Sequence, residues 1–308
     1  MTKELITRVS SAIKRSIKPA ISTSIWIIKI TIPISFLVFL IKVSNMLPKL
    51  AGLFHPLFKL IGVGGDGALV YITACLVNIY AAIAAICTLS FTQREITILA
   101  LMCLISHNLP VESAVQKKTG SSFIIITIVR IITSFIAAYI LNIVLPPMNS
   151  KNIVSINYNI TAKSNFYIGL KHWALDASYL TFKIVVLIIL LMILQSLLEE
   201  FKINFILTKL LKYPLMILGI PKDAVFMWIV ANTLGLAYGA GILIHNVDSN
   251  KIKKKDADIL NYHIAISHSL LEDTLLFVAI GVPAFWITVP RLILAGIVTW
   301  IRKFFYLF

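Results

Sequence analysis

The sequence predicts an all-α polytopic membrane protein made of two related halves, and three observations predict it. Of 308 residues, 59% are hydrophobic and 13% charged, with a mean hydropathy of +0.92; that charged share is about half that of soluble domains. Several stretches approach the ~20 apolar residues that cross a hydrocarbon core. The second half repeats polar landmarks of the first at a nearly constant offset. The 28 Lys+Arg against 13 Asp+Glu give a net charge of +15, which in such a chain marks cytoplasmic loops and headgroup contacts. Basic residues are not interleaved with aromatics on a polar face, so nucleic acid is not an expected partner.

Residues 1–23 read as a basic amphipathic helix lying on an anionic membrane face. Leu5, Ile6, Val9, Ile13 and Ile17 recur every three to four residues, with Arg8, Lys14, Arg15 and Lys18 between them. No apolar h-region or cleavage site marks a secretory signal. The first repeat, 24–145, opens with a span at Ser24–Ser44, whose Lys29 and Lys42 can snorkel. An interfacial helix follows at Leu47–Gly62, then a Gly-rich turn to Gly67 and an uncharged span at Ala68–Leu89. Ile96–Ile105 is too short to span and ends at Ser106-His107-Asn108, with Pro110 as the expected break. Phe123–Leu145 spans with one charge, Arg130.

Residues 146–178 form a polar linker containing an Asn159-Ile160-Thr161 sequon. The second repeat, 179–300, has the same series: a span at Tyr179–Leu198 carrying Lys183, an interfacial segment at Ile203–Gly219, and an uncharged span at Ala224–Ile244. A short Ile259–Ile266 and an arginine-bearing span at Leu275–Trp300 complete it. Residues 301–308 are a basic, aromatic tail. Gly235, Gly239 and Gly241 with Ala237 and Ala240, and Ala81, Ala82, Ala84 and Ala85 in the first copy, suit close helix packing. Cys75, Cys87 and Cys103 lie in apolar stretches and read as packing residues, not a disulfide framework.

Pro56 answers Pro214, Asp66 answers Asp223 and Tyr80 answers Tyr238 at offsets of 157–158; Ser106-His107, Glu112-Ser113 and Arg130 answer Ser267-His268, Asp273-Thr274 and Arg291 at 161. If the Ser-His segment crosses, the repeats are parallel; if it dips in and returns, they are inverted. Both arrangements leave both termini cytoplasmic, and both put Asn157 and Asn250 on one side of the membrane. Parallel repeats bring Lys251–Lys255 inside, and inverted repeats bring in Lys202, Lys209, Lys212 and Lys222.

Chemistry concentrates at the Ser-His segments, because ionisable residues and broken backbone at membrane depth mark function. The expected substrate-binding residues are His107, Asn108, Glu112, Ser113, His268, Ser269, Glu272 and Asp273, with Arg130 and Arg291 as charge partners of the acids. On a helix His268 and Glu272 would share one face, while Pro110 makes the shared face of His107 and Glu112 less secure. Three chemistries fit: hydrogen bonding of a small polar solute, proton coupling through the His–carboxylate pairs, or a divalent metal (Fe, Zn or Mn) held by His107, Glu112, His268, Glu272 and Asp273. A metal enters only as substrate, and no resident cofactor is expected. No Walker motif, nucleophile elbow, haem or flavin signature appears, so no enzyme role is expected. Expected partners are the solute or ion and the lipid bilayer, and a homo-oligomer is allowed.

Through Ser106-His-Asn-Leu-Pro-Val-Glu112 and Ser267-His-Ser-Leu-Leu-Glu-Asp273 the chain resembles the nucleoside-recognition, or Gate, domain family of bacterial membrane proteins. That domain recurs in concentrative nucleoside transporters, the membrane core of the ferrous iron transporter B, and the spore maturation proteins A and B. The resemblance covers nearly the whole chain as two Gate-like copies. It implies an inverted repeat in a bacterial inner membrane, with polar segments meeting near the midplane. It also implies transport or binding of a nucleoside-like solute, with a ferrous-type divalent metal as alternative and a membrane scaffold as third reading. No GTPase domain is attached, and the cysteines occur only in the first copy.

Overall fold

A computed structural model describes residues 2–44, 46–148, 166–233, 235–249 and 251–306, apart from the side chains of 2–3 and 236–240. Asn157, the sequon at 159–161, Asn250 and the side chains of Ala237, Tyr238, Gly239 and Ala240 lie outside this set. The described residues are helical with no strand, and five segments are long and apolar enough to cross a membrane. The chain is an all-α polytopic membrane protein.

The first half contains α1 (Thr2–Val43), α2 (Leu47–Lys59), α3 (Gly67–Leu76), α4 (Ile79–Thr88), α5 (Gln93–Ser106), α6 (Leu109–Lys118) and α7 (Phe123–Val144). The second contains α8 (Phe166–Glu200), α9 (Ile203–Ile217), α10 (Val225–Thr233), α11 (Gly235–Asp248), α12 (Lys254–Ser267), α13 (Glu272–Val278) and α14 (Ala284–Phe304). Helices α5 and α12 sit at the centre, buried on every side over Ile96–Ser106 and Ala257–Ser267. Helices α7 and α14 flank them, each packing on both central helices. The long pair α1 and α8 covers the α4 and α13 side. On α7 the exposed residues Ile124, Ile128, Ile132, Ile136, Ile140 and Ile143 form an apolar stripe at three-to-four-residue spacing, as a lipid-facing helix requires.

Contacts between helix ends fix the direction of every helix. Arg302 and Tyr306, at and just beyond the end of α14, bind Asp258 at the start of α12, which also accepts from Ser121 just before α7. At the opposite end, Gln93 at the start of α5 donates to Gly281 O before α14, and Arg94 binds Asn142 near the end of α7. Helices α7 and α14 therefore run antiparallel. So do α1 and α8, because Arg8 and Arg15 hold Glu200. One end of the bundle gathers Arg8, Arg15, Lys117, Lys118, Lys254, Lys255, Arg302 and Lys303; we call it the basic end. Helix α9 packs there, with Ile217 O accepting from Trp300 Nε1. Helix α2 leads to the opposite end, where Gly62 (φ +71) lies against Asn142 so closely that a Cβ would collide with it.

The structure corrects several expected elements. The boundary at residue 23 vanishes because α1 runs unbroken for 42 residues, with Pro19 and Pro33 inside a helix braced along α8. The linker 146–178 is shorter, since α8 already begins at Phe166. Neither uncharged stretch is a span. Ala68–Leu89 breaks at Asn78, whose extended backbone (φ −170) and side chain restart the helix by accepting from Ala81 N at 2.9 Å. Ala224–Ile244 breaks before Gly235, whose φ of +76 suits glycine. Each stretch is a hairpin reaching the centre and returning: α3–α4 from the opposite end, and α10–α11 from the basic end. It is the Ser-His segments that cross, as α5–α6 and α12–α13. Finally, Leu275–Trp300 is interrupted at Gly281 (φ +92) and Pro283, so Arg291 belongs to a new helix, α14.

Asp258 is 1% exposed, with Ser121 Oγ at 2.6 Å, Arg302 Nε at 2.7 Å and the Tyr306 hydroxyl at 2.8 Å. Replacing one member of a satisfied buried network leaves the others unpaired. Asp258→Ala is expected to cost about 2–4 kcal/mol, read as a lowered thermal midpoint in detergent. The exposed Lys251→Ala should change stability by no more than about 0.5 kcal/mol.

Candidate functional site

The site arises because two helices stop at the middle of the bundle. Helix α5 ends at Ser106 and α12 at Ser267, and the next residues, His107 and His268, turn extended (ψ 157 and 166). Asn108 and Ser269 then take left-handed backbone (φ 50 and 51), uncommon for non-glycine residues and typical of functional sites. Their amides donate to the hairpins, Asn108 N to Ala74 O at 2.8 Å and Ser269 N to Ala231 O at 3.2 Å. The break precedes Pro110, which sits in the first turn of α6, where its missing N–H costs nothing.

A helix that ends in an apolar interior exposes carbonyls that need donors. The arginines supply them. Arg130 Nε donates to Ile105 O at 2.7 Å and its Nη2 to His107 O at 2.8 Å. Arg291 repeats this, with Nε to Ile266 O at 3.1 Å and Nη2 to His268 O. Both arginines are 0% exposed, and each places its charge at the negative end of a helix dipole. The expected role as carboxylate partners therefore holds for one arginine only. Arg130 pairs with Glu112 (Nη2–Oε2 2.8 Å), whereas the described ion pairs of Asp273 do not include Arg291. Asp273 is one methylene shorter than Glu112.

Each histidine is oriented by its own helix. His107 Nδ1 lies 3.0 Å from Cys103 O, and His268 Nδ1 lies 2.7 Å from Ile264 O. A carbonyl only accepts, so each Nδ1 carries a proton, and each Nε2 is left to face the centre, where it can hold a second proton or a cation. The two Nε2 atoms face each other at 3.3 Å, with ring centroids at 4.9 Å. Glu112 Oε1 is 3.2 Å from His107 Nε2, Glu112 Oε2 is 3.2 Å from His268 Nε2, and Asp273 Oδ2 is 3.3 Å from His107 Nε2. Asp273 Oδ2 is buried without a hydrogen-bond donor. Four acceptor-bearing side chains thus converge from two helix breaks.

The sequence-predicted set divides. His107, His268, Glu112 and Asp273 meet at this centre. Contrary to expectation, His268 and Glu272 do not share a helical face, because α12 stops between them; Glu272 instead accepts from Tyr80 OH at 2.8 Å. His107 and Glu112 do touch across the break. Ser113 lies elsewhere, accepting from Thr127 Oγ1 at 2.8 Å. A cavity of ≈ 270 Å³ adjoins the centre, lined by His107, Asn108, Glu112, Ser269, Glu272 and Asp273 together with Asn78, Tyr80 and Gln195. Gln195 is a buried polar residue inside an apolar helix, the signal that could have marked it. Its sequence neighbourhood gives no other sign of a site. The cysteine thiols are free, and Cys103 serves the centre only through its backbone carbonyl.

Fold and site together define a polytopic membrane protein with a buried histidine–carboxylate centre where discontinuous helices meet. The chain is similar to the uncharacterized membrane protein YvoD of Bacillus subtilis (strain 168), with 29% identity over 275 residues covering 88% of this chain and 87% of that protein. No family model matches the chain, and no solved structure does either.

Arg130→Met should cost about 3–5 kcal/mol, because it frees two carbonyls and strands the Glu112 carboxylate. Arg291→Met, which frees two carbonyls alone, should cost about 2–3 kcal/mol. The order of the two thermal midpoints in detergent checks this.

Proposed function

We propose that this protein binds a divalent transition-metal cation at the His107–His268 centre and passes it across a bacterial cytoplasmic membrane. The observation that carries the reading is the pair of facing Nε2 atoms with two carboxylates beside them. Such a cluster needs positive charge between its members, which a metal cation supplies. Zinc-like coordination at about 2.0–2.1 Å gives ligand–ligand edges near 3.3 Å in a tetrahedron, and the two Nε2 atoms, and His107 Nε2 and Asp273 Oδ2, are each 3.3 Å apart. His107 Nε2, His268 Nε2 and an Asp273 oxygen lie within 4.8 Å of one another, and Glu112 lies beside both histidines. Histidines whose Nδ1–H is held by a carbonyl are the usual form of metal-ligating histidine. Three carboxylates (Glu112, Glu272, Asp273) face two guanidinium groups, which leaves one negative charge in excess. Imidazole with carboxylate suits Fe(II), Zn or Mn.

The helix directions support an inverted pair of Gate-like repeats, α1–α7 and α8–α14, around a site made of broken helices. The positive-inside rule places the basic end and both termini in the cytoplasm. A second reading, a nucleoside-like polar solute, is favoured by the ≈ 270 Å³ cavity and its amide and hydroxyl lining.

Purified protein should be stabilised by Mn²⁺, Fe²⁺ or Zn²⁺, by about 2.7 kcal/mol at a hundredfold excess over Kd. His107→Ala and His268→Ala should each abolish that shift. Folded protein indifferent to all three metals excludes the metal reading. If a nucleoside in a ligand panel raises the midpoint instead, the second reading stands.

A further inference from the structure

The central cavity has a neighbour along one seam. Its wall on the α1–α8 side includes Met192 and Gln195. The same two residues line a second cavity of ≈ 170 Å³, together with Arg15, Ser16, Pro19, Ser196 and Glu199. The two spaces therefore share one partition, the side chains of Met192 and Gln195 on one face of α8. From there the second cavity follows the α1–α8 seam to the basic end, where Arg8 and Arg15 bind Glu200.

The seam is polar where it need not be. Ser16 and Ser196 are 4% and 8% exposed, and Gln195 is 7% exposed, along the stretch of the seam between the central cavity and the basic end. Buried hydroxyls and amides in such helices mark hydrated routes or interhelical bonds. Ser196 is used as a bond, donating to Ala12 O at 2.8 Å. Gln195 reaches inward, lining the central cavity with Glu272. The opposite direction is different in kind. There a separate space of ≈ 10 Å³ beside α4, α8 and α13 is lined by Ile83, Leu180, Ile184, Leu187, Leu276 and Ile280 with one lysine, Lys183. An apolar lining of that kind disfavours a hydrated ion.

We infer that the α1–α8 seam is the access route to the central site and that Gln195 and Met192 form its gate toward the basic end. The inference rests on the transport reading above, since a route has meaning only for a cargo. A cation leaving the histidines meets the Glu272 carboxylate, then the Gln195 amide, then Ser16 and Glu199 at the mouth. Glu272 and Gln195 thus hold the intermediate position between centre and surface.

The test uses the full chain with Cys75, Cys87 and Cys103 replaced by Ala, and single substitutions Ser16→Cys, Gln195→Cys and Ile184→Cys. Each variant is first required to elute as a folded species in detergent. A membrane-impermeant cationic thiol reagent is then applied to vesicles of either orientation. Ser16→Cys and Gln195→Cys should label from the basic-end face only, and Ile184→Cys from neither face. Gln195→Cys that stays unlabelled from the basic end while Ser16→Cys reacts, or that reacts from the opposite face, overturns the route. Gln195→Leu supplies a measurement independent of the cysteine background: Mn²⁺ uptake into proteoliposomes should fall about tenfold while equilibrium Mn²⁺ binding in detergent is kept, a barrier increase of about 1.4 kcal/mol. Unchanged uptake in that variant also overturns the route. Labelling from the basic end that Mn²⁺ fails to slow retains the route and removes the metal reading, so the two failures are separable.

Discussion

The arrangement depends on one interaction, a buried guanidinium closing the carbonyl end of a helix that stops inside the membrane protein. Backbone carbonyls without donors are not tolerated in an apolar interior. Helices α5 and α12 could not end where they do without Arg130 and Arg291, which reach from α7 and α14 to the last carbonyls of each. Everything else at the centre follows from those two terminations. Because the helices stop, the next residues can turn extended and then left-handed, and that turn projects both imidazoles to one point. Because each capped helix offers one more carbonyl a turn earlier, each Nδ1 donates to it and each Nε2 is turned to the centre.

The two halves then diverge in a way that gives the centre its charge. In the first, Glu112 is long enough to reach Arg130 and still touch both histidines. In the second, Asp273 points an oxygen at His107 that has no donor, and Arg291 is left with its carbonyls. Glu272 adds a third acid, tied to Tyr80 of the other half. A symmetric frame thus holds an asymmetric set of ligands, with the negative charge displaced toward the second half and its adjoining cavity.

Much of this was legible in the chain. Composition and apolar length gave the class, and the spacing between Ser106-His107 and Ser267-His268 located the centre. The rare arginines also matched between the halves. Hydropathy misled where it is weakest. Ala68–Leu89 and Ala224–Ile244 are long and uncharged enough to span, yet both fold back. Apolarity measures the environment of a segment and not the continuity of its helix, and the breaks rest on single residues, Asn78 and Gly235. The polar Ser-His segments read as too short to cross, because a local window cannot count the helix that resumes after a break of two residues in the first half and four in the second. The network of Asp258, Ser121, Arg302 and Tyr306 was invisible for a related reason. Its members are scattered along the chain, and each alone resembles a solvated residue.

The sequence by itself determined that this is a helical membrane protein with two sets of histidine, acid and arginine at matching positions, since apolar transfer energy and repeated spacing are properties of the chain alone. Only the tertiary structure decided that the halves run in opposite directions, that the arginines serve carbonyls before carboxylates, and that His107 meets His268 and Asp273 of the other half as well as its own Glu112. Those outcomes depend on which unsatisfied group lies within reach of which donor, and reach is set by packing between helices remote in the chain.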